Sequence, residues 1–160
     1  MDQRGWLDEQ TFETVVSSVP LVSIDLIVRN PTGRVLLGKR VNRPAEGYWF
    51  VPGGRILKNE TLSEAFLRLT QTELGSSLSI LKAHYIGLFE HFYSDSIFGQ
   101  DVSTHYLVHG FEVSVDAELS LPSQQHCDYR WLSEADVLSD EKVHTHSKWY
   151  FQQEKGFKTL

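Results

Sequence analysis

The sequence has a single cysteine, Cys127, so no disulfide can close within the chain. A reducing compartment fits that count, and a catalytic thiol is the lesser reading of the lone residue. No apolar run reaches the length of a membrane-spanning helix. The N-terminal stretch from Met1 to Glu9 is polar and lacks the apolar segment of a signal peptide. These absences point to a cytoplasmic protein. There is also no basic excess: 15 Lys and Arg stand against 21 Asp and Glu, a formal net charge of −6. That excludes an extended surface for a nucleic acid polymer. It leaves an anionic nucleotide open, because a few arginines and a metal can set a local field. Internal repeats and low-complexity linkers are absent as well. The 160 residues are expected to form one domain over 1–160, long enough to bury a core without disulfide or metal staples.

What is present reads as strands and a few capped helices. Asp8 can cap a helix running to about Ser18, and Pro20 ends it. Leu21 to Arg29 is apolar and β-branched, as a buried strand is. Asn30-Pro31-Thr32-Gly33 is a turn, and Arg34 to Lys39 forms the return strand. Arg40 to Tyr48 is a polar loop, and Trp49 to Val51 a short strand that stops at Pro52-Gly53-Gly54. Thr61-Leu62-Ser63-Glu64 is a capping-box pattern that opens a helix to about Leu74, with Gly75 as its stop. Tyr85 to Tyr93 and Thr104 to Val115 read as long strands, and Tyr129 to Leu132 as another. Ser133 caps a short helix, and His144 to Glu154 forms the last one. The class is α+β, a mixed sheet with flanking helices.

One residue is out of place on this pattern. At 100° per residue, Leu62, Ala65, Phe66 and Leu69 share a narrow apolar stripe of the central helix, and Glu73 falls in its middle. A carboxylate facing the core is costly unless it is paired or bound to a metal. Either Glu73 frays into solvent with the last turn, or it has a ligand. Just upstream, Gly53-Gly54 lets backbone approach a ligand closely, and Arg55 follows at once.

The spacing of Gly54, Glu60, Arg68, Glu73 and Gly75 resembles the Nudix box, G-x5-E-x7-R-E-U-x-E-E-x-G-U, with U aliphatic. The resemblance implies a Nudix fold, a mixed sheet sandwiched between helices, in which the loop and helix hold a divalent metal against a diphosphate. The departures are informative. The family's glutamate after the arginine is Leu69, the first of its glutamate pair is Thr72, and its closing aliphatic residue is Ser76. A chain that has lost these carboxylates is either inactive or does different chemistry.

Further segments resemble the GDP-mannose mannosyl hydrolase family within that superfamily. They are Leu37-Gly38-Lys39-Arg40, Asn42-Arg43-Pro44-Ala45, Gly47 through Arg55, Arg68-Leu69-Thr70, Thr104-His105-Tyr106, and Gln125-His126 followed by Asp128-Tyr129-Arg130-Trp131. The likeness covers roughly residues 6 to 155. It implies Mg²⁺, with Mn²⁺ able to substitute, held by Gly53, Glu73 and Gln125 together with diphosphate oxygens. It implies His126 as general base, Arg40 and Arg55 on the departing GDP, and Arg68 orienting metal-site carboxylates. Tyr106 would touch the diphosphate, and Asp25 would lie near the sugar. Trp6, Leu7 and Phe12 match positions that contact the nucleotide, with segment 1–19 at the interface of a homodimer. The implied substrate is a GDP-sugar, and the implied products are GDP and free sugar. The alternatives are a pyrophosphohydrolase cutting a nucleotide sugar at phosphorus, or a non-catalytic binding protein.

Each role has a plain rival. His126 can be a surface histidine beside a turn, Arg40 an exposed strand-end charge, and Tyr106 a core residue with a satisfied hydroxyl. Asp25 interrupts an apolar strand and needs a partner, which a backbone hydrogen bond could supply. Glu60 and Glu64 read as capping and solvating the helix. Trp131 and Trp149 read as core or interface. His144 and His146 are not expected to share a helix face.

Overall fold

The computed structural model describes residues 6–116, 119–122 and 126–152, with 126 and 127 described in backbone only. The elements in chain order are α1 (Glu9–Ser18), β1 (Leu21–Arg29), β2 (Val35–Arg40), β3 (Trp49–Phe50), β4 (Gly53–Arg55), α2 (Leu62–Leu74), β5 (His84–Tyr93), β6 (Thr104–Ser114), β7 (His126–Leu132), α3 (Glu134–Ser139) and α4 (Thr145–Lys148). Short 3₁₀ turns at Ile80–Lys82 and Trp149–Phe151 complete it. Among the described residues no helix is long and apolar enough to cross a membrane.

β1 is the hub of one seven-stranded mixed sheet. It runs parallel to β6 over its whole length and antiparallel to β4 at Ser23, Ile24 and Asp25. It pairs antiparallel with β2 at Arg29 and Val35. β2 in turn pairs with β3 and β7, and β5 pairs antiparallel with β6 at the far edge. Because side chains alternate across a strand, β1 feeds two cores. Ile24, Leu26 and Val28 pack with Phe66, Leu69 and Leu74 of α2. Ile27 faces the other side, with Phe89, Val137 of α3 and Tyr150. Helices therefore cover both faces, as the sandwich architecture requires.

The helix ends follow their sequence signals. The Asp8 carboxylate accepts from the Thr11 amide. Thr61 and Glu64 form both arms of the capping box, and Gly75 stops α2 at φ +74°. Within α2 the stripe is Ala65, Phe66, Leu69 and Glu73; Leu62, in the first turn, is exposed instead. Glu73 is only 3 % exposed, so it does not fray into solvent.

The C-terminal helix is shorter than the expected His144–Glu154. α4 is a single turn that tightens at Trp149, and residues 153 and 154 lie outside the described residues. His144 is its N-cap, with extended backbone and a ring nitrogen accepting from the His146 amide at 3.1 Å. The helical-face argument for His144 and His146 therefore does not apply, and their rings meet at 4.6 Å.

Thr61→Ala removes the side-chain acceptor of the box that starts α2 and should destabilise the protein by about 1 kcal/mol. Urea denaturation would measure it. A midpoint equal to the parent's would mean that tertiary packing alone sets the start of α2.

Candidate active site

A cavity of about 290 Å³ opens where β1, β4, β5 and β6 come together. Its walls include Asp25, Arg40, Gly53, Arg55 and Tyr106, five residues singled out from the sequence. Asp25 lines it from the middle of β1. Burial pushes its carboxyl up to about 7, the Tyr150 hydroxyl and the Arg40 charge pull it down, and the charge of Glu73 pushes it up. Tyr150 donates to Asp25 Oδ2 at 2.5 Å. Gly53, the β4 residue registered against Asp25, has no room for a side chain. A Cβ there would collide with Asp25 Oδ1 and lie 2.5 Å from the Ile24 carbonyl oxygen.

The three arginines are held differently. Arg40 lies over the Phe50 ring at 5.5 Å. Arg55 lies over the Phe12 ring at 4.8 Å, which brings α1 to the cavity mouth. Burial holds the Arg55 guanidinium below its usual value, Tyr106 acting against this and Arg68 with it. The Tyr106 hydroxyl is pushed up by burial, and the charges of Arg40 and Arg55 oppose that. Arg68 does not line the cavity. It grips Glu60 with bonds of 2.6 and 3.0 Å and the Arg55 carbonyl at 2.8 Å. Glu60 also accepts from the Leu57 amide. Glu60 is thus a brace of the loop between β4 and α2 and not a solvated helix-end residue; only Glu64 caps.

Glu73 is buried on α2, near enough that its charge raises both Asp25 and Tyr129. Leu69, one turn before it, fills the space over Gly54, where a Cβ would come within 2.5 Å of its Cδ2. Thr72 is exposed. His126 pairs in backbone register with Arg40 across a β-bulge, so β7 brings it to the rim occupied by Arg40. Its side chain and Gln125 lie outside the described residues. Trp6 and Leu7 are exposed, with Arg68 5.9 Å from the Trp6 ring.

Residues 19–153 match the NUDIX domain family. The chain belongs to the Nudix family. It is also 45% identical over 132 residues to the low-salt glycan biosynthesis protein Agl8 of Haloferax volcanii, covering 78% of this chain and 83% of that protein. Solved structures share the fold at lower identity. The MutT protein of Methanosarcina mazei aligns with a TM-score of 0.70 at 23% identity, over 85% of this chain and 94% of that one. The NUDIX domain of Shewanella oneidensis NrtR, complexed with ADP-ribose, aligns with a TM-score of 0.63 at 20% identity, over 92% and 91%.

In Nudix terms, the loop from Gly53 to Glu60 and helix α2 form the box, and the cavity lies against it. The sequence reading missed His91, Tyr93 and Tyr150. The first two carried a usable signal: on β5, Phe89, His91 and Tyr93 occupy one alternating face while Glu90 and Phe92 point outward. An inward histidine there is as anomalous as Glu73 on its helix. His91 stacks on His146 at 4.3 Å, and His144 stacks on Phe50 at 4.6 Å. His91 Nε2 and His146 Nδ1 are buried without a hydrogen-bond partner among the described residues. The rings stack and do not converge. Among the described residues no group of three His, Cys, Asp or Glu could hold a metal ion. Burial, reinforced by neighbouring histidines or Arg40, lowers His91 to about 2 and His144 and His146 to about 4.

This cluster sets a pH dependence of stability. An unfolded histidine titrates near 6.5, so above that pH all three are neutral in both states and the fold keeps its full stability. Below it, the unfolded chain takes up protons that the folded chain refuses, and stability falls as pH drops toward about 4. Asp25, raised to about 7, works the other way over much of the same range, one group against three. Urea midpoints should fall between pH 7 and pH 5, and less steeply in His91→Phe. Equal slopes for parent and variant would contradict this.

Proposed function

We propose that this Nudix hydrolase splits GDP-mannose, with GDP-glucose as a second substrate, into GDP and the free sugar by attack of water at the anomeric carbon. The observation that carries the reading is Leu69. The position that holds a glutamate in the family's box is an apolar side chain packed on Gly54, and Thr72 replaces a second glutamate. A set of carboxylates for metal-assisted attack at phosphorus is missing, while Glu73, Arg68 and the cavity arginines are kept.

Mg²⁺, or Mn²⁺ in its place, fits the donors that remain. Mg²⁺ takes oxygen ligands, one or two carboxylates being enough when phosphates and water complete the set. Glu73 is a buried carboxylate of α2, and Gly53 lines the cavity. Gly53, Glu73 and Gln125 are the residues proposed to hold the ion. When bound, it would offset charge on the diphosphate.

The remaining steps belong to side chains. Cleavage at the sugar carbon needs a base for water and a stabilised leaving group. His126 is the proposed base; an ordinary histidine is partly neutral near pH 7 and can accept a proton. Arg40 and Arg55, with Tyr106 between them, are proposed to stabilise GDP as it departs. Arg68 holds the box in shape through Glu60, and Asp25 faces the sugar end. A single displacement inverts the anomeric centre, so β-mannose forms first from the α-linked substrate. Phe12, already against Arg55, and the exposed Trp6 and Leu7 are proposed to contact the nucleotide. The reading includes a homodimer in which segment 1–19 reaches the partner, which the exposure of Trp6 and Leu7 supports.

The Haloferax volcanii relative is a low-salt glycan biosynthesis protein, which suits a nucleotide-sugar substrate. Incubation of the purified protein with GDP-mannose and Mg²⁺ should yield GDP and mannose, and excess chelator should abolish turnover until Mg²⁺ is restored. GMP and mannose 1-phosphate as products would establish phosphorus cleavage instead. Tight binding without turnover would make the chain a binding protein. His126→Gln should lower kcat by roughly 10²- to 10⁴-fold with little change in KM. A parent-like kcat would assign the base elsewhere.

A further inference from the structure

Asp25 has a glycine beside it on each neighbouring strand: Gly53 on β4 and Gly110 on β6. The two glycines make different room. At Gly53 a side chain would take the place of Asp25 Oδ1. At Gly110 a Cβ would stand 3.0 Å from Tyr150 Cε1 and 3.2 Å from its Cδ1. The Tyr150 ring therefore passes over Gly110 to reach Asp25, to whose Oδ2 its hydroxyl donates at 2.5 Å.

The segment that carries Tyr150 is stapled in place. Ser147 is fully buried, and its Oγ accepts from the Val51 amide at 3.0 Å. The His144 amide donates to the Trp49 carbonyl at 3.0 Å. The Tyr150 ring packs edge-on against Phe89 at 4.6 Å.

We infer that Tyr150 is a positioning residue: its hydroxyl, admitted by Gly110 and held by the Ser147 staple, fixes the Asp25 carboxyl against Gly53 and toward the reacting end of the substrate. The inference rests on the reading that Asp25 faces the sugar. Tyr150 touches no substrate and acts only through Asp25.

A double-mutant cycle tests it, with Tyr150→Phe, Asp25→Ala and the pair measured on GDP-mannose with Mg²⁺. Tyr150→Phe keeps the ring against Phe89 and Gly110 and removes only the hydroxyl. It should lower kcat roughly 10- to 100-fold, the span of a lost hydrogen bond to a charged group, with KM within about twofold. In the Asp25→Ala background the same change should cost nothing further. A merely structural role would lower both backgrounds alike. Equal losses in the two backgrounds, or parent kcat in Tyr150→Phe, would overturn the inference. If Tyr150→Phe does not fold, Gly110→Ala serves, since its methyl would stand 3.0 Å from the ring, which must shift by a few tenths of an ångström to admit it. It should reproduce the selective loss of kcat, and a KM effect alone would count against the proposal. The products separate the two claims. GMP and mannose 1-phosphate from the parent would sink carbon cleavage, while the coupling of Tyr150 to Asp25 would still be judged from the same rates.

Discussion

Asp25 sits in the middle of the central strand, half-buried in the cavity wall, with Gly53 against one carboxyl oxygen and the Tyr150 hydroxyl on the other. A carboxylate in that position is costly, and its surroundings compensate through a short hydrogen bond and the charge of Arg40. Much of the architecture follows from that requirement. β4 must present a glycine, β6 must present a glycine, and the C-terminal segment must fold back across the sheet to deliver a tyrosine 125 positions away in sequence. The Ser147 and His144 bonds to the stretch from Trp49 to Val51 secure that return.

The Nudix box is altered in a way that leaves the scaffold whole. Arg68, Glu60 and the capping box still shape the loop and start α2. Gly75 still ends it in the left-handed region, where the Ser120 carbonyl leaves no space for a Cβ. The change is chemical. Leu69 seals the ground beside Gly54 with hydrocarbon, and Glu73 is the buried carboxylate left on the helix. On the proposed reading, the work of stabilising charge passes to Arg40, Arg55 and the ion, and the work of activating water passes to the rim where β7 runs beside Arg40.

Most of the fold was legible because its signals are local. A β-branched apolar run marked β1, and β5 and β6 read as two long strands. Asp8, Thr61 and Ser133 each begin a helix as their side-chain chemistry dictates. Glu73 was legible as a conflict between period and polarity, and burial resolved it. The limits were long-range. The distance from the apolar stripe to Leu62 depends on how α2 meets the sheet, so the first turn is exposed. The His144 and His146 rings meet because His144 is a cap and not a helical residue. Tyr150 gave no signal, since nothing near it in sequence shows that it reaches Asp25. Within the site, Asp25, Arg40, Gly53, Arg55 and Tyr106 share one cavity, whereas Arg68 and Glu73 are not among the residues that line it.

The central claim is that this Nudix site breaks the bond at the sugar carbon and not at phosphorus. Its most direct test is the fate of oxygen when GDP-mannose is hydrolysed in ¹⁸O-labelled water with Mg²⁺. The account predicts label in the mannose and none in the GDP. Label in a phosphate group would contradict it.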